Sequence, residues 1–374
     1  MSFLAKCVEV VQYFDRKVLS VAPHIPLAGR TRDILAKHQL IVADVGAAGG
    51  VDPRWRSLSG FVRFLAFEPR CDEAISNPDL KRFSMALAAQ QGRRRLYVTK
   101  FSQSSSLFPL NRELLNDFTV HDCYDLVRTE EVAVDTLDHC LAGWPADRPD
   151  FLKVDVEGAE LEVLRGGEAV LKESVLGVRT EVSFAPRHLG APLFGEVDAF
   201  LRQRGYMLLV LNRELMIRDG RVHSPISQPQ CVWGDALYFL TWPALSDRLR
   251  AAPVENREWV VVKFVATLCA HGAHDYAAQI IAASGKADLI AAPVLHGLME
   301  TVHGSVRGAR RYFWKALSGF VFSLIVWVVA LPSTRMRAMA RPYVRRRAGY
   351  VLHYLWRISA RTGACDGSIS DLQV

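Results

Sequence analysis

The chain has 374 residues, of which 50% are hydrophobic and 23% charged, and its formal net charge is +7. This length exceeds one compact core of ordinary size, so we expect a catalytic-sized domain with an extension. The sequence lacks internal repeats, which excludes a solenoid. The seven cysteines are scattered without a CxxC pair or zinc-like spacing, which predicts reduced thiols in a cytosolic protein.

An N-terminal helical segment is predicted over residues 1–39. The first stretch, "MSFLAKCVEVVQYFDRKVLS", has only short apolar runs that are interrupted by charged residues. Its apolar residues recur at helical spacing, which favours an amphipathic helix over a signal peptide.

Residues 40–243 alternate between short strand-like runs and helical periods. The predicted strands cover residues 40–46, 62–69, 95–99, 151–156, 176–184, 206–212 and 235–241. Several are continuously apolar, as is typical of strands covered on both faces of a parallel sheet. Predicted helices at 160–172 and 195–204 lie between strands, so the pattern favours a doubly wound α/β domain.

A long loop is predicted from residue 101 to about residue 131. It contains the serine-rich stretch "SQSSSLFPLN". A long loop in an α/β domain is often a lid or a binding loop, and it can equally be a mobile surface excursion. The sequence leaves both interpretations open.

The first predicted strand runs into a glycine-rich turn, "DVGAAGG", at residues 44–50. Glycine lets a ligand approach the backbone closely, so Gly46, Ala47 and Gly49 are candidate ligand contacts. The spacing differs from the GxGxxG of dinucleotide-binding folds, and the turn lacks the Lys-Ser/Thr of a P-loop.

An acidic residue ends the second predicted strand. The carboxylate of Glu68 could accept hydrogen bonds from both hydroxyls of a ribose. Asp44, near the end of the first strand, could reach the amino group of an amino-acid moiety. A ribose, an amino acid and close backbone approach together describe S-adenosylmethionine.

Further carboxylates collect where two later strands are predicted to end. Asp155 ends the strand at 151–156, Glu157 lies two residues on, and Glu181 ends the next strand. These three could remove a proton from an acceptor or ligate Mg²⁺. A neighbouring Lys153 would lower the pKa of Asp155, so we favour Glu157 or Glu181 for proton transfer and Asp155 for fixing geometry.

Two residues near these carboxylates have competing interpretations. His188 has an ordinary pKa near neutrality and is a rival general base, although a loop histidine is more often a surface residue. Glu160 opens a predicted helix, where a carboxylate stabilises the N-terminal dipole, and we interpret it as a cap residue.

Taken together, motifs in residues 40–240 resemble those of the FkbM-type methyltransferases. The matching stretches are "DVGAAGG", "FEP", "SMALAAQQGRRRLYV", "SSSL", "VDTLD", "DFLKVDVEGAELEVLRGG" and "TEVSF". The "KVDVEGAE" block is the most specific of them. The resemblance implies a Rossmann-like class I methyltransferase fold with a mostly parallel, seven-stranded sheet, and O-methyl transfer from S-adenosylmethionine.

The same resemblance implies cofactor contacts at Asp44, Gly46, Glu68, Met85, Ala86 and Ser105. Met85 and Ala86 would flank the adenine, and Ser105 would lie near the bound cofactor. The chain departs from the family pattern at residues 48–50 and at residues 88–89, where an Asp is common. The second departure leaves open which side chain contacts the adenine amino group.

The C-terminal part divides into a helical extension at 244–303 and a basic, apolar tail at 304–374. Between Thr301 and Cys365 there are twelve Lys or Arg residues and no acidic residue. The uncharged stretch at 316–331 would span about 24 Å as a helix, short of the ~30 Å hydrocarbon core. Basic clusters flank both of its sides, which favours an in-plane or re-entrant segment that binds anionic lipid through 304–361.

Three other roles for the tail stay open: a buried helix, an oligomer interface and a nucleic-acid contact. We do not expect nucleic acid as a partner, because the strand at 151–156 lacks the Asn/Asp-Pro-Pro-aromatic motif usual in nucleic-acid methyltransferases.

The sequence as a whole favours a cytoplasmic O-methyltransferase, peripheral or monotopic at the inner face of the cell membrane. Its acceptor would be a hydroxyl of a sugar or a lipid-linked glycan. Two alternatives stay open: a catalytically silent S-adenosylmethionine-binding membrane scaffold, and a soluble small-molecule methyltransferase whose tail makes a dimer.

Overall fold

A computed structural model of the chain describes residues 24–47, 50, 52–70, 78–119, 121–143, 148–219, 229–306 and 321. Residues 22–219 and 229–306 belong to one compact unit. The predicted N-terminal amphipathic helix and almost all of the predicted basic tail lie outside the described residues.

Ten strands occur in the described residues. They are β1 (Leu40–Val45), β2 (Val62–Phe67), β3 (Leu80–Phe83), β4 (Ala86–Leu87), β5 (Gly92–Thr99), β6 (Leu126–Asp135), β7 (Phe151–Val154), β8 (Gly177–Ser183), β9 (Tyr206–Met216) and β10 (Gln230–Leu240). Seven of them form one sheet in the order β3-β2-β1-β7-β8-β10-β9. The first five in that order pair in parallel, and β10 runs antiparallel to both of its neighbours. The predicted mostly parallel, seven-stranded sheet is confirmed.

Two details of the strand prediction are wrong. The predicted strand at 95–99 lies in β5, which belongs to a separate three-stranded sheet of β4, β6 and β5. The seventh strand of the main sheet is instead β3, a short edge strand whose sequence, "LKRF", lacks an apolar run. The predicted loop also ends earlier than residue 131, because β6 begins at Leu126 with a mostly exposed, polar stretch.

Nine α-helices have defined bounds in the described residues. They are α1 (Gly29–Lys37), α2 (Arg112–Leu115), α3 (Leu137–Ala142), α4 (Glu160–Gly166), α5 (Glu168–Glu173), α6 (Phe194–Gln203), α7 (Trp242–Ala251), α8 (Val254–Ala270) and α9 (His274–Lys286). Residues 292–306 are helical as well. The helix predicted at 160–172 is divided between α4 and α5, and a Cβ on Gly166 would lie 2.2 Å from the carbonyl oxygen of Ala88.

The helical extension packs directly on the main sheet. In α8, every residue from 261 to 270 is buried. Lys263 Nζ donates to both carboxylate oxygens of Asp150, at 3.1 and 2.8 Å, and one of those oxygens accepts the backbone N–H of Ile41 at 2.8 Å. This buried ion pair ties α8 to the residues that open β1 and β7. Within the described residues, no helix is both long and apolar enough to cross a membrane.

Candidate active site

The carboxyl ends of four parallel strands meet at one edge of the main sheet. β1 pairs with β2 on one side and with β7 on the other, and β7 pairs with β8. Ligands of open α/β sheets bind outside this edge. The predicted acidic residues Asp44, Glu68, Asp155, Glu157 and Glu181 all lie at or just beyond these strand ends.

One cation lies between two aspartates at the ends of β1 and β7. Lys153 Nζ is 2.8 Å from Asp44 Oδ1 and 3.7 Å from Asp155 Oδ2. The Asp155 side chain is 42% exposed, whereas that of Lys153 is 21% exposed. Burial raises the pKa of Asp44, and Lys153 partly offsets that rise. We call Asp44, Lys153 and Asp155 the open cluster. Lys153 lies closer to Asp44 than to Asp155, which the sequence analysis expected as its partner.

In the glycine-rich turn after β1, Gly46 and Gly50 have different surroundings. Gly46 has a φ of +83°, and a Cβ there would lie 1.8 Å from the carbonyl oxygen of Asp155. Position 46 therefore requires glycine, because the backbone after β1 comes too close to the end of β7 to leave room for a Cβ. Gly50 has a φ of +75°, and its Cβ would meet no described atom within 4 Å. Ala47 is buried, and Gly49 lies outside the described residues.

Glu68 lies beside an arginine at the end of β2. Its carboxylate accepts hydrogen bonds from the backbone N–H and the Nε of Arg70, at 3.2 and 3.4 Å. The same guanidinium donates through Nη2 to the carbonyl oxygen of Ser102 at 3.0 Å, and Ser105 Oγ donates to that oxygen at 2.8 Å. Glu68 and Ser105 thus share one neighbourhood, as a common ligand would need.

Met85 and Ala86 follow the end of β3, beside the end of β2. The backbone N–H of Glu68 donates to the carbonyl oxygen of Phe83 at 3.1 Å, which brings the two strand ends together. Met85 Sδ lies 3.2 Å from Cys140 Sγ, and Ala86 begins β4. Their contact with an adenine stays a prediction.

A second cluster, beyond β7 and β8, is closed to solvent. Arg187 Nη1 donates to Glu157 Oε2 at 3.0 Å, and Arg187 Nη2 donates to Glu181 Oε1. The Arg187 side chain is 1% exposed, against 12% for Glu157 and 5% for Glu181. The ring of Trp233 lies 5.4 Å from the guanidinium carbon. We call Glu157, Arg187 and Glu181 the closed cluster.

The closed cluster shifts the proton affinity of its carboxyl groups. Burial raises the pKa of Glu157 to about 7, because the nearby Arg187 offsets only part of the desolvation. Burial raises the pKa of Glu181 well above its ordinary value for the same reason. A carboxyl group with a pKa near neutrality is suited to general base catalysis. Arg187 was not predicted as a site residue. The signal that could have identified it is that two carboxylates predicted at buried strand ends, Glu157 and Glu181, need a cationic partner.

His188 follows Arg187 and is buried. Neither ring nitrogen has a hydrogen-bond partner within the described part of the chain. Burial, reinforced by the charge of Arg187, lowers the pKa of His188 to about 3. The imidazole is therefore neutral at pH 7 and a weak base, which favours Glu157 over His188 for proton removal.

The carboxylates do not fit a magnesium site. The guanidinium of Arg187 already binds one carboxylate oxygen of Glu157 and one of Glu181. Among the residues that the structure describes, no three His, Cys, Asp or Glu side chains lie close enough to hold a metal ion. The alternative that Asp155, Glu157 and Glu181 ligate Mg²⁺ is therefore not supported.

Comparisons with known proteins bear on the same region. Residues 44–208 match the model of the methyltransferase FkbM domain. The crystal structure of methyltransferase FkbM from Methylobacillus flagellatus KT is similar at 16% sequence identity, covering 54% of this chain, with a TM-score of 0.29. The match spans 44% of that protein's length. No curated protein matches the chain. The resemblance to the FkbM methyltransferases that the sequence motifs predicted is therefore confirmed over residues 44–208.

Proposed function

We propose that the protein is an S-adenosylmethionine-dependent O-methyltransferase in which Glu157 removes the proton of an acceptor hydroxyl. One observation carries this proposal: a buried glutamate with a pKa of about 7 lies at the carboxyl edge of a methyltransferase sheet. A hydroxyl is a poor nucleophile while it keeps its proton, so a general base at this edge has a clear task.

The residues at the ends of β1 and β2 fit S-adenosylmethionine. Glu68 would bind the ribose hydroxyls, and Asp44 would bind the amino group of the methionine moiety. The left-handed backbone at Gly50 presents a surface that no described side chain covers. When bound, the cofactor supplies an electrophilic methyl group on its sulfonium sulfur.

The closed cluster supplies the proton chemistry. Glu157 would accept the proton of the acceptor hydroxyl and so make its oxygen a better nucleophile toward the methyl group that the cofactor supplies. Arg187 fixes the direction of that carboxylate, because its rigid guanidinium binds Glu157 and Glu181 together. Asp155 is the most exposed carboxylate of the three at this edge and would orient the acceptor. Alignment of acceptor, methyl and sulfur accounts for much of the remaining rate.

The acceptor in this proposal is a hydroxyl of a sugar or a lipid-linked glycan at an anionic membrane surface. Support for the membrane comes from the twelve basic residues between Thr301 and Cys365. Each basic residue near an anionic surface contributes about 1 kcal/mol of attraction. A protein held there meets lipid-linked acceptors at the cytoplasmic face.

The enzymatic part is tested with the full-length protein and S-adenosylmethionine labelled in its methyl group. Calorimetry measures cofactor binding, and label transfer is measured across free sugars, lipid-linked glycans and small phenols. Transfer to a glycan hydroxyl supports the proposal. Cofactor binding without transfer to any acceptor contradicts it and favours a silent scaffold. Transfer to the phenols alone contradicts the glycan assignment.

The membrane part is tested by charge removal in the intact chain. Replacing Arg345, Arg346 and Arg347 by Gln removes about 3 kcal/mol of attraction, or a ~100-fold loss of binding to phosphatidylserine vesicles. Neutral phosphatidylcholine vesicles are the control for charge. Equal sedimentation of the wild-type protein with both vesicle types would contradict electrostatic membrane binding.

A further inference from the structure

The backbone of Glu157 has an unusual conformation. Its φ is +54°, and among the described residues only one other non-glycine residue, Asp288, has a positive φ. This left-handed region is strained for a residue with a Cβ, so the surroundings must hold Glu157 in it. The residues that do so also decide where the Glu157 carboxylate points.

A buried serine holds the Glu157 carbonyl group. Ser106 Oγ donates to the carbonyl oxygen of Glu157 at 2.5 Å and accepts the backbone N–H of Phe108 at 3.0 Å. Ser106 is itself fixed, because its backbone exchanges two hydrogen bonds with Tyr97, at 2.8 and 3.2 Å. Ser106 is 1% exposed, so water does not replace this contact readily.

A buried glutamate holds the amide groups on both sides of Glu157. The carboxylate of Glu160 accepts the backbone N–H of Gly158 through both oxygens, at 3.1 and 3.0 Å, and that of Val156 at 3.1 Å. The interpretation of Glu160 as a cap residue is thus incomplete. Its carboxylate binds the turn that precedes α4 and shapes the backbone around Glu157.

The turn also has little room to relax. Gly158 has a φ of +109°, and a Cβ there would lie 3.2 Å from Ala191 Cβ and 3.3 Å from His188 Nδ1. The backbone after Glu157 is therefore packed against the loop that carries Arg187. Three contacts therefore restrain the backbone at Glu157. Ser106 donates a hydrogen bond to its carbonyl oxygen, Glu160 accepts hydrogen bonds from the amides on either side of it, and Gly158 packs against His188.

We propose that Ser106 and Glu160 are positioning residues, which hold Glu157 in its left-handed conformation and so direct its carboxylate onto Arg187 at the mouth of the sheet. The inference rests on the proposed function, in which Glu157 is the base. Ser106 lies 51 residues before Glu157 in the chain. The serine-rich segment thus contacts the proposed base, Glu157, through the hydroxyl group of Ser106.

The titration of Glu157 reports on this positioning. The charged and titratable groups that face it from the packed elements are Arg187, His188, Glu181, Asp155, Glu160 and Tyr124. Replacing Ser106 changes none of these charges. If the turn relaxes, the Glu157 carboxylate gains solvent and loses part of its contact with Arg187. Because burial is the larger of these two opposing influences, its pKa falls from about 7 toward the ordinary range.

The experiment follows the Glu157 carboxyl by infrared difference titration of the full-length protein without acceptor. The band of Glu157 is identified by its absence in Glu157→Gln. We expect Ser106→Ala to lower its midpoint by about one pH unit, a tenfold change in the proton equilibrium. Ser106→Thr keeps the hydroxyl and should restore the wild-type midpoint. Ser174→Ala is the matched control, because Ser174 Oγ also donates to a carbonyl oxygen, far from this site.

The role of Glu160 is read by amide hydrogen exchange. Glu160→Gln should speed exchange at Gly158 and Val156 in the folded protein, while Ser174→Ala leaves both amides unchanged. Should Ser106→Ala fail to fold, Ser106→Cys has a weaker donor of similar size and should give an intermediate midpoint.

Unchanged titration in the serine variants, or unchanged exchange in Glu160→Gln, overturns the assignment of that residue. A failure of the proposed function looks different: Glu157→Gln would then transfer methyl groups at the wild-type rate, whatever the titration shows.

Discussion

The open and closed clusters have the same arrangement of charges and differ in their exposure to solvent. Each places one cation between two carboxylates, at the same edge of one sheet. In the open cluster Asp44 is only 9% exposed but Asp155 is 42% exposed, whereas no side chain of the closed cluster exceeds 12%. Burial brings the pKa of Glu157 to about 7. The contrast teaches that access of water, more than the count of charges, sets which carboxyl group can exchange a proton near neutral pH.

The identity of the cation contributes to the contrast. Lys153 is a compact charge and lies much closer to Asp44 than to Asp155. Arg187 binds one carboxylate with each terminal nitrogen of its planar fork. The closed cluster is therefore rigid and suited to proton transfer, and the open cluster is accessible and suited to holding a polar ligand.

The largest expected effect is on the rate of methyl transfer, when the proposed base of the closed cluster is removed. Glu157→Gln should reduce the methyl-transfer rate about 100- to 10,000-fold, the usual contribution of a general base, with cofactor affinity unchanged. Rate and affinity are measured by label transfer and calorimetry. Glu162→Gln is the matched control, because Glu162 lies in α4 and pairs with Arg94 away from the site. A variant that loses affinity and keeps its rate would reverse the assigned roles.

Removing each cation compares the clusters by stability. Arg187→Met should lower the free energy of unfolding by about 3–5 kcal/mol at pH 8, because two buried carboxylates lose their partner. Lys153→Met should cost less, about 1–3 kcal/mol, because only one of its two carboxylate partners, Asp44, is buried, while Asp155 stays partly exposed to solvent. Urea unfolding measures both. The cost of Arg187→Met should shrink at pH 5, where the carboxyl groups take up protons; equal costs for the two variants would break the comparison.

A third expectation places the cofactor beside the open cluster. Glu68→Ala should weaken S-adenosylmethionine binding about 100-fold, because two hydrogen bonds to a charged acceptor are lost. Calorimetry measures the affinity, and thermal unfolding checks the fold. Glu173→Ala removes a glutamate that pairs with Arg148 near the surface and serves as control. Unchanged affinity in Glu68→Ala would remove the ribose assignment.

The smallest effect concerns pH. A base must be deprotonated, so activity should rise with pH through about 7, the pKa of Glu157, and then level off. At pH 6 the value of kcat/KM should be about tenfold below its plateau. The profile is measured with any acceptor that the panel identifies. A profile that is flat between pH 5 and 8 would show that Glu157 does not limit the reaction.

Much of the site followed from local sequence features. Asp44 and Glu68 were expected at the ends of β1 and β2, and they lie there. The proximity of Asp155, Glu157 and Glu181 was expected from the strand ends alone. The strands β3, β4 and β6 were not predicted, because β4 has only two residues and neither β3 nor the mostly exposed β6 has the apolar run that marks a buried strand.

The sequence by itself determined the parallel sheet, the glycine-rich turn and the carboxylates at the strand ends. These are properties of short stretches, where hydrophobic period and residue type suffice. Only the tertiary structure decided which groups surround Glu157. Arg187 lies 30 residues after it and Ser106 lies 51 residues before it. Burial and long-range partners set the conformation and the pKa of a side chain, and the residues next to it in the sequence determine neither its burial nor those partners.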